Sequence, residues 1–138
     1  MRHAAVLAWL RMARVFQKIT IRSERFFRTH GLNTAQFDVL AQIGASGEIT
    51  QQGLADALLV TKGNISQLLA RMERDDLITR RQEGRVNVIA LTARGEALRR
   101  VVVPQQEAQI ARLLAPLTPT EQRELLRLLR KLDRHLDH

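Results

Sequence analysis

From Gln51 to Leu69 the chain reads QQGLADALLVTKGNISQLL, and its apolar positions fit two short helices crossing at a tight turn. Leu54, Ala55 and Leu58 make one apolar face, and Val60 closes the turn. Ile65, Leu68, Leu69 and Met72 then recur at three- and four-residue spacing, the buried stripe of a second helix. This is a helix-turn-helix pattern. Ala55 is small enough to let the helices approach, and Thr61 can cap the second by accepting a hydrogen bond from a backbone N–H of its first turn. After Leu77 and Ile78, the segment TRRQEGRVNVIALT alternates Val86, Val88 and Ala90 with polar residues, and Glu83-Gly84 offers a turn residue tolerant of positive φ. A β-hairpin is predicted there.

The flanks read as helices. Asn33 or Thr34 can cap one that runs through Phe37, Leu40 and Ile43 and stops near Gly44 and Gly47. Thr92 can cap a long helix beginning at Ala93, which Pro104 should kink or divide by removing a backbone hydrogen bond. Leu117-Thr118-Pro119-Thr120-Glu121 is a strong start signal: a capping threonine, proline at the first helical position, and a glutamate to complete a capping box. Leu125, Leu128, Leu129, Leu132 and Leu136 stripe the last helix.

The polar positions of the second helix point to chemistry. Lys62, Gly63, Asn64, Gln67, Ala70, Arg71 and Arg74 face outward if the apolar stripe faces in. Such a face suits a DNA major groove, where small residues allow close approach, Asn and Gln pair bidentately with adenine, and Lys and Arg meet guanine or phosphate. A basic hairpin beside it makes a winged helix, whose wing arginine can reach the minor groove. The candidate DNA contacts are Thr61, Lys62, Gly63, Asn64, Ser66, Gln67 and Arg71 on the helix and Arg80, Arg81 and Arg85 on the hairpin.

The order of these elements, with GLNTAQFDVLAQI, ERDDLITRR, LTARGEAL and LTPTEQRELLRLLRKL around them, resembles the MarR family of bacterial transcription regulators over nearly the whole chain. The resemblance implies a mainly α fold with a small β-hairpin wing: a winged helix-turn-helix lobe over 34–91, and dimerisation helices over 1–30 and 92–138 of a single domain. Two positions depart from the family pattern. Asp76 stands where members usually carry glycine, and the wing, about three residues short, has Glu83-Gly84-Arg85 in place of Asp-x-Arg. The resemblance also implies a homodimer whose first, fifth and sixth helices form the interface, and a small anionic or aromatic effector.

With 138 residues and 45% hydrophobic content the chain fits one domain, and 4% aromatic content makes its core aliphatic. The net charge of +8 is uneven: residues 1–30 carry seven basic side chains and one acidic. Arg11, Arg14, Lys18, Arg22 and Arg25 line one face of the first helix, opposite Leu10, Ala13 and Phe16. That face can attract DNA, pair with Glu121, Glu124, Asp133 or Asp137 of a second subunit, or simply be solvated. Trp9, the one tryptophan, reads as core or dimer interface, or as the wall of a ligand pocket.

Other functions find less support. No apolar run approaches a membrane span, and Arg2, Arg11 and Arg14 sit in an amphipathic pattern, so a cytoplasmic protein without membrane contact is expected. The absence of cysteine excludes disulfides, thiolate-zinc sites and thiol redox sensing. There is no phosphate loop, HExxH or tyrosine, so neither an enzyme nor a cofactor is expected, and of the four histidines only His135 and His138 share a helix face. The reading is a homodimeric repressor that binds double-stranded DNA at a pseudo-palindromic operator. The alternatives are a nucleoid-type protein of low sequence preference and a winged-helix protein-interaction module.

Overall fold

The computed structural model describes residues 3–137, so Met1, Arg2 and His138, the last of the His135–His138 pair, lie outside the described residues. In chain order the elements are α1 (Ala4–Arg28), α2 (Thr34–Ser46), β1 (Glu48–Thr50), α3 (Gln51–Leu58), α4 (Lys62–Arg74), β2 (Ile78–Glu83), β3 (Val86–Leu91), α5 (Ala93–Leu113) and α6 (Pro119–Leu136). They group into two compact units, one extending to Gln106 and the other beginning at Glu107.

Within the first unit, a mostly aliphatic core gathers Leu40 and Ile43 of α2, Leu54 and Ala55 of α3, Ile65, Leu69 and Met72 of α4, Ile78 of β2, Ile89 of β3 and Val102 of α5. Phe27 joins it from α1 and stacks on Phe37, with ring centroids 4.3 Å apart. The helix-turn-helix stripe is buried as its spacing requires, except that Leu58 and Leu68 are only partly covered. Asn33 rather than Thr34 caps α2, accepting from the Gln36 N–H at 2.8 Å while the Gln36 side chain accepts from the Asn33 N–H at 3.0 Å. α2 runs past Gly44 and ends at Gly47, whose φ of 81° turns the chain into β1.

The strands form one antiparallel sheet in the order β1-β3-β2. β1 adds a strand to the expected hairpin. The register pairs Ile78 with Leu91 and Arg80 with Ile89, and this is the face that meets the core. Val86, Val88 and Ala90 occupy the opposite face, where Val86 is exposed and Val88 is buried beside Thr50 and Arg81 across the strands. The alternation is therefore real, but its apolar set is the outer one. Gly84-Arg85 forms a two-residue turn with positive φ at its first position only, the φ pattern of a type II′ hairpin.

α5 is not divided at Pro104. Its proline lies on an exposed stretch, so the carbonyl left without an N–H partner can be solvated. α1 buries only Ser23 and Phe27; Trp9 is 62% and Phe16 72% exposed, so neither belongs to the core of this chain. In the second unit, Thr118 and Glu121 complete the capping box of α6, and Gln122 donates to the Leu117 and Leu114 carbonyls. Every leucine of the α6 stripe is exposed.

Candidate nucleic-acid interface

Thr61 fixes the start of α4. Its hydroxyl accepts from the Asn64 N–H at 3.2 Å, so Lys62 and Gly63 occupy the first helical positions. Because Ile65, Leu69 and Met72 are drawn into the core, helical periodicity turns Lys62, Gly63, Asn64, Gln67, Arg71 and Arg74 outward, and all six are exposed. Ser66 and Ala70, on the flanks of the stripe, are half-buried. The tight turn before α4 is made by Leu59, which adopts a left-handed φ of 55° while 92% exposed. The Val60 N–H reaches back to the Ala55 carbonyl there, closing α3.

Two open clefts flank this helix. One, of about 630 Å³, places Asn64, Gln67, Arg71 and Arg74 opposite Ala35 and Asp38 of α2, over an apolar floor of Leu58, Val60 and Leu68. Partial desolvation pushes the Asp38 carboxyl above the usual carboxylate range. The other, of about 430 Å³, is bordered by Lys62 on α4 and by Arg85 and Asn87 on the hairpin. The recognition helix and the wing tip thus share an edge. Sequence reasoning missed Asp38 and Asn87, because nothing in their local pattern relates them to α4.

The wing arginines differ in their partners. Arg80 donates from Nε and a terminal nitrogen to Glu73 Oε1 of α4, at 3.3 and 3.2 Å, with only 23% of its side chain exposed. It ties the wing base to the recognition helix. Arg81 meets two carboxylates: Glu83 at 2.7 Å and, across the sheet, Glu48 of β1 at 3.1 Å. Those hydrogen bonds, Glu83 first, raise its already high pKa. Among the described residues Arg85 has neither an ion-pair nor a side-chain hydrogen-bond partner. Three carboxylates, Glu83 of the hairpin with Glu48 of β1 and Glu73 of α4, therefore offset two of the three wing arginines. The Glu83 partner is legible from the period-two repeat of a strand, whereas Glu48 is not, because it belongs to β1, which the sequence pattern does not reveal.

A clamp holds the end of α4. Asp76 has a φ of 60°, the left-handed position that closes a helix, and it sends its N–H to the Glu73 carbonyl while Leu77 sends its own to Met72. Thr92 reads this turn from the other side. Its hydroxyl donates to the Asp76 carbonyl at 2.6 Å and accepts from the Gly95 N–H at 3.0 Å, and its N–H donates to the Leu77 carbonyl at 3.1 Å. Gly95 lies so close that a Cβ there would sit 2.0 Å from the Leu77 oxygen. The pieces DDLIT and LTARG thus form one structural unit that orients the recognition helix on α5.

A helix-turn-helix with an exposed polar second helix, flanked by a sheet whose hairpin tip carries an exposed arginine, defines a winged helix-turn-helix protein. The model of the MarR family matches residues 30–85. A Bacillus cereus protein described as an uncharacterized HTH-type transcriptional regulator is 38% identical over 130 residues, covering 94% of this chain and 88% of its own length. The crystal structure of AbsC, a MarR family transcriptional regulator from Streptomyces coelicolor, superposes with a TM-score of 0.91 at 24% identity, over 99% of this chain and 97% of that one. A mutant MarR from Escherichia coli, complexed with operator DNA, superposes with a TM-score of 0.79 at 26% identity, over 88% of this chain and 89% of that one. The chain belongs to the MarR family of transcriptional regulators.

Proposed function

We propose that this regulator is a homodimeric repressor that reads a pseudo-palindromic operator with α4 and is released by a small anionic or aromatic effector. The observation that carries the reading is the outward face of α4. Asn64 and Gln67 stand there one turn apart between Lys62 and Arg71, all exposed, on a helix whose opposite face is fixed in the core. Asparagine and glutamine supply bidentate base readout, and the arginine and lysine supply phosphate or guanine contacts. Thr61 and Gly63 would let the helix start approach the DNA backbone closely, with the half-buried Ser66 in a lesser role, and Arg85 at the wing tip would meet the minor groove or phosphate.

Dimerisation is supported by the apolar residues that α1 and α6 leave exposed, among them Trp9, Phe16, Leu125, Leu129 and Leu132. Such surfaces mark interfaces, and a second copy of the chain would present the same surfaces to them. In this assignment residues 1–30 and 92–138 serve dimerisation and 34–91 form the DNA-reading lobe of a single functional domain. A nucleoid-type role is disfavoured by the pairing of Arg80 and Arg81 with carboxylates, since sequence-independent binding rests on free cations. None of the described helices is long and apolar enough to cross a membrane. We place the protein in the cytoplasm with its DNA, and assign it neither catalysis nor a cofactor.

The test compares affinity for operator and scrambled duplex at several salt concentrations. Gln67→Ala should weaken operator binding by about 1 to 3 kcal/mol and spare scrambled DNA. Arg85→Ala should weaken both and reduce the salt slope by roughly one for each phosphate no longer neutralised. An equal fall in affinity on both duplexes for Gln67→Ala would refute base readout through that residue.

A further inference from the structure

The arginines of the wing are not equally available, and the difference lies in the acidic residues beside them. Arg81 sits on the outer face of the hairpin with half of its side chain exposed, three residues before Gly84 at the tip, hence within roughly 10 Å of it along the strand. A long, mobile side chain at that position can reach what the tip reaches. Its guanidinium is instead held by two carboxylates that come from different strands, Glu83 of β2 and Glu48 of β1. Glu48 and Glu83 are themselves more than half exposed, so neither is a buried charge that needs Arg81 for its own solvation. Exposed ion pairs of this kind add little to stability. Their larger consequence is electrostatic: each places negative charge beside Arg81 on the exposed outer face of the sheet.

We propose that Glu48 and Glu83 are specificity-determining residues, which hold Arg81 away from the DNA backbone and so suppress sequence-independent binding by the wing. The proposal rests on the reading of this chain as a dimeric DNA-binding protein. It gives the three arginines separate roles, in which Arg80 joins the wing to α4, Arg85 meets DNA, and Arg81 is a cation masked by its neighbours. Specificity is the ratio of operator to non-operator affinity. Removing a generic phosphate interaction raises that ratio without touching the base-reading face.

The experiment measures binding of the full chain to a scrambled duplex across a salt series, for wild type, Glu83→Gln, Glu48→Gln and the double variant. Circular dichroism and thermal melting confirm that each is folded. Glutamine keeps the shape and removes the charge. The double variant should bind scrambled DNA roughly three- to tenfold more tightly at about 50 mM salt, with a salt slope steeper by about two, one added phosphate interaction in each subunit. Adding Arg81→Ala to the double variant should abolish the gain. Unchanged or weaker binding by the folded double variant would overturn the proposal and make the triad a brace for the wing. A gain that survives Arg81→Ala would overturn it as well, assigning the effect to relief of repulsion alone. Failure of wild type to bind any duplex would instead refute the DNA-binding reading itself, so the two failures are distinguishable.

Discussion

Replacing Gly95 with alanine should destabilise the protein although alanine is the better helix former. The added Cβ would lie 2.0 Å from the Leu77 carbonyl oxygen and 3.0 Å from its carbon, both backbone atoms that cannot swing aside. Relief requires Leu77 or the start of α5 to move. Leu77 is buried, its carbonyl accepts the Thr92 N–H, and the Thr92 hydroxyl bonds the neighbouring Asp76 carbonyl, so movement strains the whole clamp. Overpacking of this kind costs about 1–3 kcal/mol, and one weakened backbone hydrogen bond adds about 1 kcal/mol. The gain in helix propensity offsets roughly 0.5–1 kcal/mol. The net loss is about 1–3 kcal/mol, a fall in melting temperature of roughly 3–10 °C for a chain of this size. Gly63→Ala is the control. A Cβ there meets nothing within 4 Å in an exposed helical turn, so stability should rise by about 0.5–1 kcal/mol. Chemical denaturation followed by circular dichroism, at one protein concentration for all variants, measures both. If Gly95→Ala proved as stable as wild type, the clamp would not constrain Leu77 as the close approach implies.

Asp76→Gly should stabilise the chain by about 1 kcal/mol, because the left-handed φ of 60° costs aspartate what glycine does not lose; an unchanged or lower denaturation midpoint would contradict this. Hydrogen bonds from Arg99, and then from Arg100, hold the Glu96 carboxyl down at about 2. A depressed folded-state pKa contributes stability that is present above the unfolded value and is lost as pH falls through the folded one, so wild type should lose stability between about pH 4.5 and 2. Glu96→Gln should flatten that part of the curve in melts across the acid range, and an unaltered acid profile would exclude Glu96 as a contributor.

What the sequence made legible is what periodicity and capping control. Ile65, Leu69 and Met72 repeat often enough to orient α4, and Thr61 and the Thr118–Glu121 pair fix helix starts through local bonds, so these elements appear as read. The strands are harder. β1 has three residues, too few for an alternation to register, and it exists because β3 offers an edge to pair with. On the hairpin, Val88 and Ile89 are adjacent and both buried, so the pattern alone does not say which set faces the core. Thr61, Lys62, Asn64, Gln67 and Arg71 do fall on one helix start and face, as their spacing implies. The pairing of the wing arginines is only partly legible: Glu83 lies two residues from Arg81 on one strand, whereas Arg80–Glu73 and Arg81–Glu48 join different elements. Pro104 does not divide α5, because the affected turn faces water and the carbonyl it frees can be solvated.

The proposed function requires two copies of α4 to read a two-fold symmetric DNA site. Selection of bound sequences from a pool of random duplexes by the purified full chain is the decisive experiment. The expected result is enrichment of an inverted repeat with half-site centres about 10 base pairs apart, or a multiple of the helical turn, and a Gln67→Ala selection that relaxes the same position in each half. Recovery of sequences with no shared motif, or of a single unrepeated half-site, would contradict it.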